Sequence, residues 1–479
     1  MSKQLGITVK KEEDFSEWYT QVIQKAGLAD YAPVGGCMVI KPLGFGIWEN
    51  IQKVLDKKFK ETGVKNAYFP MLIPERLLKR EAKHFSGFVP ECGWVTHGGD
   101  SKLSERLALR PTSETIMYEV FSKWIRSYRD LPLLINQWCN IIRWETKATK
   151  LFLRTREFLW QEGHTVHRTK NEANERMKLM LKIYKDFVEK FLAIPLLDGE
   201  KSEKEKFAGA LTTTTIEALM PDGKALQMGT SHNLGQNFSK AFEITFLDKD
   251  GREKYAWQTS WGVSTRLIGA LVMVHGDDKG LVLPPKISPI QVVIVPIRFK
   301  ENANVLKVAR KIKQKLEEAN YSVVLDERVG YTAGWKFNDW ELRGVPIRIE
   351  IGPEELKTKR LTLFRRDTRE KKEIDEERVV DEIKSMLDDI QSNLFKRAKK
   401  FLDENITTVK GYEEFKRVVS ERGGFIRACW CSSPKCEEKI KNETGATIRM
   451  IPFKKEKVFS NCIYCGKKAN KVVYFAKAY

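Results

Sequence analysis

The sequence predicts three consecutive blocks of mixed secondary structure: an α+β block over residues 1–285, an α/β block over 286–390, and a small α/β block over 391–479 with a metal site. Three observations carry this. Two strand-like runs flank a short polar loop between Asn136 and His167, strand and helix patterns alternate after Pro285, and five of the eight cysteines fall in the last 51 residues. In chain order, GFGIWENIQKVLDKKFKETG places Phe45, Ile47, Trp48, Ile51, Val54, Leu55 and Phe59 at helical spacing, closes on Gly63 and runs into VKNAYFPMLIP. In the second block IQVVIVPI reads as a buried strand and NVLKVARKIKQKLEEAN as an amphipathic helix. YSVVLDE, PIRIEIGP and LTLFRRDT read as further strands, which predicts a largely parallel or mixed sheet. The helical stretch ERVVDEIKSMLDDIQSNLFKRAKKFLDEN leads into the basic, cysteine-rich end. No internal repeat or low-complexity stretch is present.

A chain of 479 residues with 42% hydrophobic composition can bury two or three cores, and no apolar run approaches the ~20 residues of a membrane span. The start, MSKQLGITVKKEEDFSEWYTQ, lacks an apolar signal core and carries acids that a transit peptide avoids, so a cytoplasmic protein with reduced thiols is expected. Formal net charge is +20, and from Gln391 to Tyr479 there are 20 Lys+Arg against 9 Asp+Glu. Such an excess points to a polyanionic partner, although a lysine-rich solubility surface explains charge alone equally well.

Side chains alternate faces along a strand. On the first run of the 136–167 segment this puts Arg143 with Glu145, and on the second it aligns Arg154, Arg156, Phe158, Trp160, Glu162 and His164. One wall then presents guanidinium, carboxylate and flat rings, which suits a ligand with a phosphate, an aromatic base and a small ammonium group. A surface hairpin with solvated charges is the plainer alternative, but it rarely makes every same-face residue large and charged or aromatic.

Arg143-Trp144-Glu145 followed by Arg154-x-x-x-Phe158 resembles motif 2 of the class II aminoacyl-tRNA synthetases, and TREFLWQEGHT resembles their prolyl family in its eukaryote/archaeal-like form. Upstream, the helix and the run ending at Pro70 are similar to motif 1. Downstream, WQTSWGVSTRLIGALVMVHGDDKGLVLPP is similar to motif 3, a strand feeding a helix with Arg266 near its start. The resemblance implies a catalytic domain over 1–285 with an antiparallel sheet packed by helices, an anticodon-binding domain over 286–390, a zinc-binding C-terminal domain over 391–479, and a homodimer. It also implies the reaction: L-proline and ATP with Mg²⁺ give prolyl-adenylate, which is transferred to the 3′ end of tRNA(Pro). A non-catalytic tRNA-binding paralogue is the alternative, and it would lose a phosphate-contacting arginine, whereas Arg143, Arg154 and Arg266 are all present. The threonyl family would need a zinc ligand set in the catalytic domain, where Cys139 lacks partners. A zinc-dependent nucleic-acid-binding protein would leave the first 285 residues unexplained.

By resemblance Arg143 and Arg266 are catalytic, Arg143 contacting both the amino-acid carboxylate and the α-phosphate and stabilising the charge that develops there. Thr112, Glu114, Arg143, Trp160, Glu162 and His232 line the proline site, with the two carboxylates toward the ring nitrogen. Glu145, Arg154, Thr155, Phe158, Gln227, Thr230, Ser264 and Arg266 hold ATP. Taken alone, His232 reads better as a satisfied core residue, and Thr112 or Ser113 as a helix N-cap. Glu341 and Arg348 match positions that meet the anticodon guanines, while an Arg348 to Glu350 pair on one strand face is the structural alternative; Glu354 departs from the lysine of the resembling pattern. The interval from His167 to Gly229 is too short for the editing insertion of bacterial-type relatives, so Ala-tRNA(Pro) is expected to go uncleared in cis. Finally, Cys431-x4-Cys436 and Cys462-x2-Cys465 have tetrahedral Zn²⁺ spacing, without a His or Glu to open the site, so a structural ion is expected. Cys429 is the odd thiol, and the resemblance favours Cys431; it also implies that the carboxylate of Tyr479 approaches the active site.

Overall fold

A computed structural model describes residues 6–84, 92–145 and 148–479. Its centre is an eleven-stranded sheet whose order from one edge is 406–408, 425–430, 471–476, 447–452, 197–200, 212–219, 225–235, 257–264, 157–167, 133–142 and 65–66. The six strands from Leu197–Glu200 to Leu133–Ile142 are antiparallel throughout, and only the two outermost pairs run parallel. This agrees with the antiparallel sheet expected of the first block. The sequence did not signal that the sheet runs on into the third block: Ile451 and Pro452 pair with Glu200 and Gly199. Nothing local in either strand encodes a partner some 250 residues away, so hydrophobic patterning is blind to it.

One face of the sheet is covered by helix Lys170–Phe191, entered through Thr169, which caps with Glu172 in a reciprocal capping box. The helix buries Met177, Met180, Leu181, Tyr184, Phe187 and Val188. These join Trp48, Ile51, Leu55 and Phe59 of helix Pro42–Lys60 and Trp261 of the sheet in the largest core cluster. Gly163 is dictated by that packing, since a Cβ there would lie 2.1 Å from the Trp261 ring. The opposite face stays open at its centre and forms the floor of the site.

The second block is a five-stranded mixed sheet in the order 323–325, 292–296, 347–351, 360–365, 371–375, with the first three strands parallel and the last two antiparallel. Val292, Ile294, Ile347 and Ile349 pack against helices Ala303–Glu318 and Val379–Glu404. The latter helix runs unbroken through residue 390, having no Gly or Pro to stop it. Arg366, fully buried, bonds Asp277 at 2.6 and 2.7 Å and ties this block to the end of the first.

Candidate active site

The open face of the sheet holds a cavity of about 620 Å³. Strand register explains its floor: Trp160, Glu162 and His164 lie opposite Ser264, Gly262 and Ser260 on the next strand, so these six share one face. Gly262 matters here, because a Cβ in its place would lie 3.2 Å from the Gln161 carbonyl oxygen. The lining holds Thr112, Glu114, Arg143, Glu145, Phe158, Trp160, Glu162, Gln227, Thr230, His232, Ser264 and Arg266. The parity argument holds from Phe158 to His164 and fails before it, since the strand begins only at Glu157. Arg156 turns away to donate to Gly35 O at 2.9 Å and covers Trp144, and Thr155 is buried with its hydroxyl donating to Glu157 O at 2.7 Å. Arg154 is not in the lining but lies near enough to Arg266 to depress its pKa.

The entry segment is fixed by Arg110, whose wholly buried guanidinium donates to Phe69 O and Asn140 O, each at 2.8 Å, and to Asn140 Oδ1 at 3.0 Å. Next to it Thr112 Oγ1 donates to Glu114, and Ser113 Oγ donates to Glu162. The N-cap reading of Thr112 or Ser113 is therefore replaced: helix Glu114–Trp124 has no side-chain cap bond, because both hydroxyls are drawn to carboxylates. Glu162 also accepts from Gln137 Nε2 at 3.2 Å and meets His164 Nε2 at 3.1 Å, while His164 Nδ1 meets the Tyr118 hydroxyl at 3.0 Å.

The charges in this network follow from its contacts. Burial opposes ionisation of all three groups. For Glu162, the His164 and Ser113 bonds outweigh it and hold the carboxyl below its usual range. For His164, the Glu162 bond and both nearby carboxylates hold the ring above its usual value. Glu114 is pushed up, chiefly by burial, against the pull of His164. The pocket thus favours the ionised form of Glu162 and the protonated form of His164, beside a Glu114 carboxyl shifted toward the neutral form. Glu114, Glu162 and His164 offer ligand atoms within 4.8 Å of one another, but both ring nitrogens of His164 are engaged, so the group is a hydrogen-bonded network rather than a metal cage.

Arginines form the other pole. Arg143 Nε donates to Pro111 O at 3.1 Å, and its guanidinium lies 5.6 and 5.7 Å from the Phe158 and Trp160 rings. Arg266, the first residue of helix Arg266–His275, is pulled down to about 10 by burial and by Arg143, and stays protonated at neutral pH. Among the described residues, the side-chain hydrogen bonds of Arg143 and Arg266 go to backbone carbonyls, those of Pro111 and Leu153, and neither forms an ion pair. Arg143 and Arg266, with no carboxylate in direct contact, are placed in the cavity to receive an anion, and Arg154 stands nearby. His232 is buried, held down to about 3 by that burial, and bonds Thr213 Oγ1 at 2.9 Å under the Phe207 ring. Sequence reasoning missed Phe207, Ser113, Gln137 and the unpartnered hydroxyl of Ser260. Phe207 belongs to an irregular loop with no periodicity to flag it; Gln137 could have been found, since it shares strand parity with Cys139 opposite Glu162 and Trp160.

Outside the cavity, Cys431, Cys436, Cys462 and Cys465 bring their sulfurs within 4.8 Å of one another, with Cys431 at 3.7 Å from Cys436 and 3.8 Å from Cys465. A tetrahedral site with metal–sulfur bonds of ~2.3 Å needs sulfurs ~3.8 Å apart, so the donor set fits zinc. Cys429 stands apart, buried and accepting from Phe459 N. Tyr479 does not line the cavity: its hydroxyl donates to Asp222 at 2.7 Å and its N–H to Ala225 O. Arg348 is 5% exposed, bonds Glu350 at 2.7 and 3.1 Å, and is sandwiched 4.1 Å from Phe337 and from Phe364. Glu341 pairs with Arg369 at 2.8 Å. The strand-face alternative for Arg348 is thus the arrangement observed.

Residues 94–275 match the core domain of class II tRNA synthetases (G, H, P, S and T), residues 291–386 the anticodon-binding domain and residues 412–479 the prolyl-tRNA synthetase C-terminal domain. Fold and site together define a class II aminoacyl-tRNA synthetase. The chain is 56% identical over 468 residues to a proline–tRNA ligase of Alkaliphilus oremlandii, covering 98% of this chain and 97% of that one. It is 56% identical over 472 residues to one of Natranaerobius thermophilus, with the same coverage, and 52% identical over 477 residues to proline–tRNA ligase 2 of Bacillus cereus, covering 100% and 99%. The chain belongs to the proline–tRNA ligase family.

Proposed function

We infer that the chain joins L-proline to tRNA(Pro) through a prolyl-adenylate, and that the cavity is where both substrates meet. What carries the reading is the juxtaposition, in one cavity, of an ammonium-binding carboxylate network with the guanidiniums of Arg143 and Arg266. Proline presents a secondary ammonium, a carboxylate and an apolar ring. Ionised Glu162, with Glu114, faces the ammonium, and Trp160, His232 and Phe207 enclose the ring. Arg143 bridges the amino-acid carboxylate and the α-phosphate. The carboxylate oxygen attacks phosphorus, pyrophosphate leaves, and the positive charge offsets the charge that builds up on the equatorial oxygens. Phe158 stacks on adenine and Glu145 accepts from its amino group; Arg154, Thr155, Gln227, Thr230, Ser264 and Arg266 hold the remainder of ATP, with Mg²⁺ arriving on the triphosphate. The terminal hydroxyl of the tRNA then attacks the adenylate carbonyl and AMP departs.

Zinc, when bound by Cys431, Cys436, Cys462 and Cys465, cross-links the C-terminal block. The anticodon contact assigned to Glu341 and Arg348 requires exchange, because base approach has to displace Arg369 and Glu350 from them. Exposed Tyr31, Val34, Val39, Phe45, Tyr68 and Leu72, in and beside the segment that resembles motif 1, support the homodimer. No helix among the described residues is long and apolar enough to cross a membrane, and a cytoplasmic site is part of the same reading. Residues 168–228 hold the core helix Lys170–Phe191, the sheet strands Leu197–Glu200 and Thr212–Leu219 and short connections, which supports the reading that no editing domain lies between motifs 2 and 3. Pyrophosphate exchange measured with each of the twenty amino acids tests the reading; an amino acid other than proline giving the highest kcat/KM would overturn it.

A further inference from the structure

The loop 201–210 has no regular secondary structure, yet it carries Glu205, Phe207 and Ala208 into the cavity wall. Phe207 is the working part. Its ring centroid lies 4.9 Å from that of His232, and its N–H donates at 2.9 Å to the same Thr213 hydroxyl that meets His232 Nδ1. Within the loop the N–H groups of Glu205 and Lys206 donate to Ser202 O and that of Ala210 to Phe207 O, while on the catalytic side Asn237 donates to Gly209 O at 2.8 Å and the Phe207 ring stacks 6.4 Å from Phe238.

The outer side of the loop, from Ser202 to Glu205, is restrained by the cysteine-rich block. Helix Pro434–Thr444 lies across the loop, leaving a polar cleft of about 280 Å³ between them. Ser202 Oγ donates to Glu437, and both residues are buried. Lys441 Nζ reaches Glu205 at 3.5 Å, so Glu205 faces the helix on one side and the cavity on the other. Lys204 pairs with Glu438 at 2.9 Å; both this pair and the Lys441–Glu205 pair are partly exposed and screened, so each adds less than the buried Ser202–Glu437 bond. At the root of the loop Lys201 is bound to buried Glu217 at 2.6 Å and to Arg449 O at 3.0 Å, and Arg449 closes on Glu217 at 2.9 Å. The loop is therefore anchored at one end by the third block and gripped along its length by one helix of that block.

We propose that Glu437 and Lys441 are positioning residues of the amino-acid pocket, which act through the loop 201–210 to hold Phe207 against His232. Resting on the assignment of the cavity to proline, this makes affinity for the amino acid, but not for ATP, depend on the C-terminal helix.

The test uses the full chain with Glu437→Ala, Glu437→Gln and Lys441→Ala. Glu437→Ala should raise KM for proline in pyrophosphate exchange by roughly fivefold or more, the scale of one lost buried hydrogen bond, and leave KM for ATP unchanged. Glu437→Gln keeps an acceptor for Ser202 and should restore the wild-type value. Lys204 and Lys206 make the loop a trypsin target, so cleavage there should be faster in Glu437→Ala and Lys441→Ala than in wild type. Unchanged proline KM with unchanged cleavage overturns the proposal, as does an equal rise in both KM values. If Glu437→Ala also loses its metal, Lys441→Ala decides alone. A wild-type chain without proline-dependent exchange would refute the assignment of the cavity, and the cleavage rates would still decide the grip on the loop.

Discussion

Arg143→Lys isolates the value of a forked contact. The guanidinium is aimed by its Nε bond to Pro111 O and by the Phe158 and Trp160 rings, and no carboxylate competes for its remaining N–H groups among the described residues. Lysine keeps the positive charge, loses the Pro111 anchor, and cannot span a carboxylate and a phosphate together. One charged hydrogen bond is worth about 1.5–3 kcal/mol, and 1.36 kcal/mol is tenfold in rate, so kcat/KM for proline-dependent exchange should fall roughly 10- to 150-fold. Because the Pro111 bond is lost but no ion pair is broken, stability should fall by only about 0.5–1.5 kcal/mol. Stopped-flow or steady-state pyrophosphate exchange on the two proteins, with a melting curve for each, makes the measurement. Exchange at the wild-type rate, or a loss that appears only in transfer to tRNA, would show that the bridging group is elsewhere.

Three further outcomes can be checked. His167, His232 and His275 are each held down to about 3, mainly by burial, so between that pH and the unfolded value near 6.5 the unfolded chain binds protons that the native one refuses. Stability should therefore fall as pH drops below 6.5, by up to about 4 kcal/mol per unit for the three together. His164, with its raised pKa, works the other way: its contribution is fully present in acid and is lost as pH rises through its folded value. Urea midpoints at pH 7.5 and 5.5 would expose a flat profile if the histidines were accessible. For the metal, Cys436→Ser should lower zinc from about one ion per chain by elemental analysis and Cys429→Ser should not; the reverse pattern would sink the ligand assignment. Arg348→Ala should leave exchange near wild type and lower charging of tRNA(Pro), while costing about 1–3 kcal/mol because buried Glu350 keeps only Lys371. Equal damage to both reactions would mark it as a folding residue alone.

Much of the site was legible because its elements are regular. Period-two alternation put Phe158, Trp160 and Glu162 on one face, and the strand Trp257–Ser264 running into helix Arg266–His275 placed Arg266 where the motif implied. What escaped was tertiary. Arg348 and Glu350 are two apart on a strand and so obviously share a face, but only packing shows that two phenylalanines bury the pair. Capping is a local rule and makes Ser113 a cap candidate, but a carboxylate on a distant strand takes its hydroxyl instead. Phe207 had no local rule to announce it at all.

The shared sheet also bears on the order in which the chain can become native. Strand Leu197–Glu200 borders the catalytic half, and its outer edge is covered by residues 451 and 452, which are in turn held by the strand Lys471–Ala476. Those residues are synthesised some 250 positions after the border strand. Until they emerge, the first four hundred residues present an unpaired strand edge, the feature most open to mispairing with another chain. The border strand is only four residues long and carries Asp198 and Glu200, which keeps that interval of exposure short in length and charged in character.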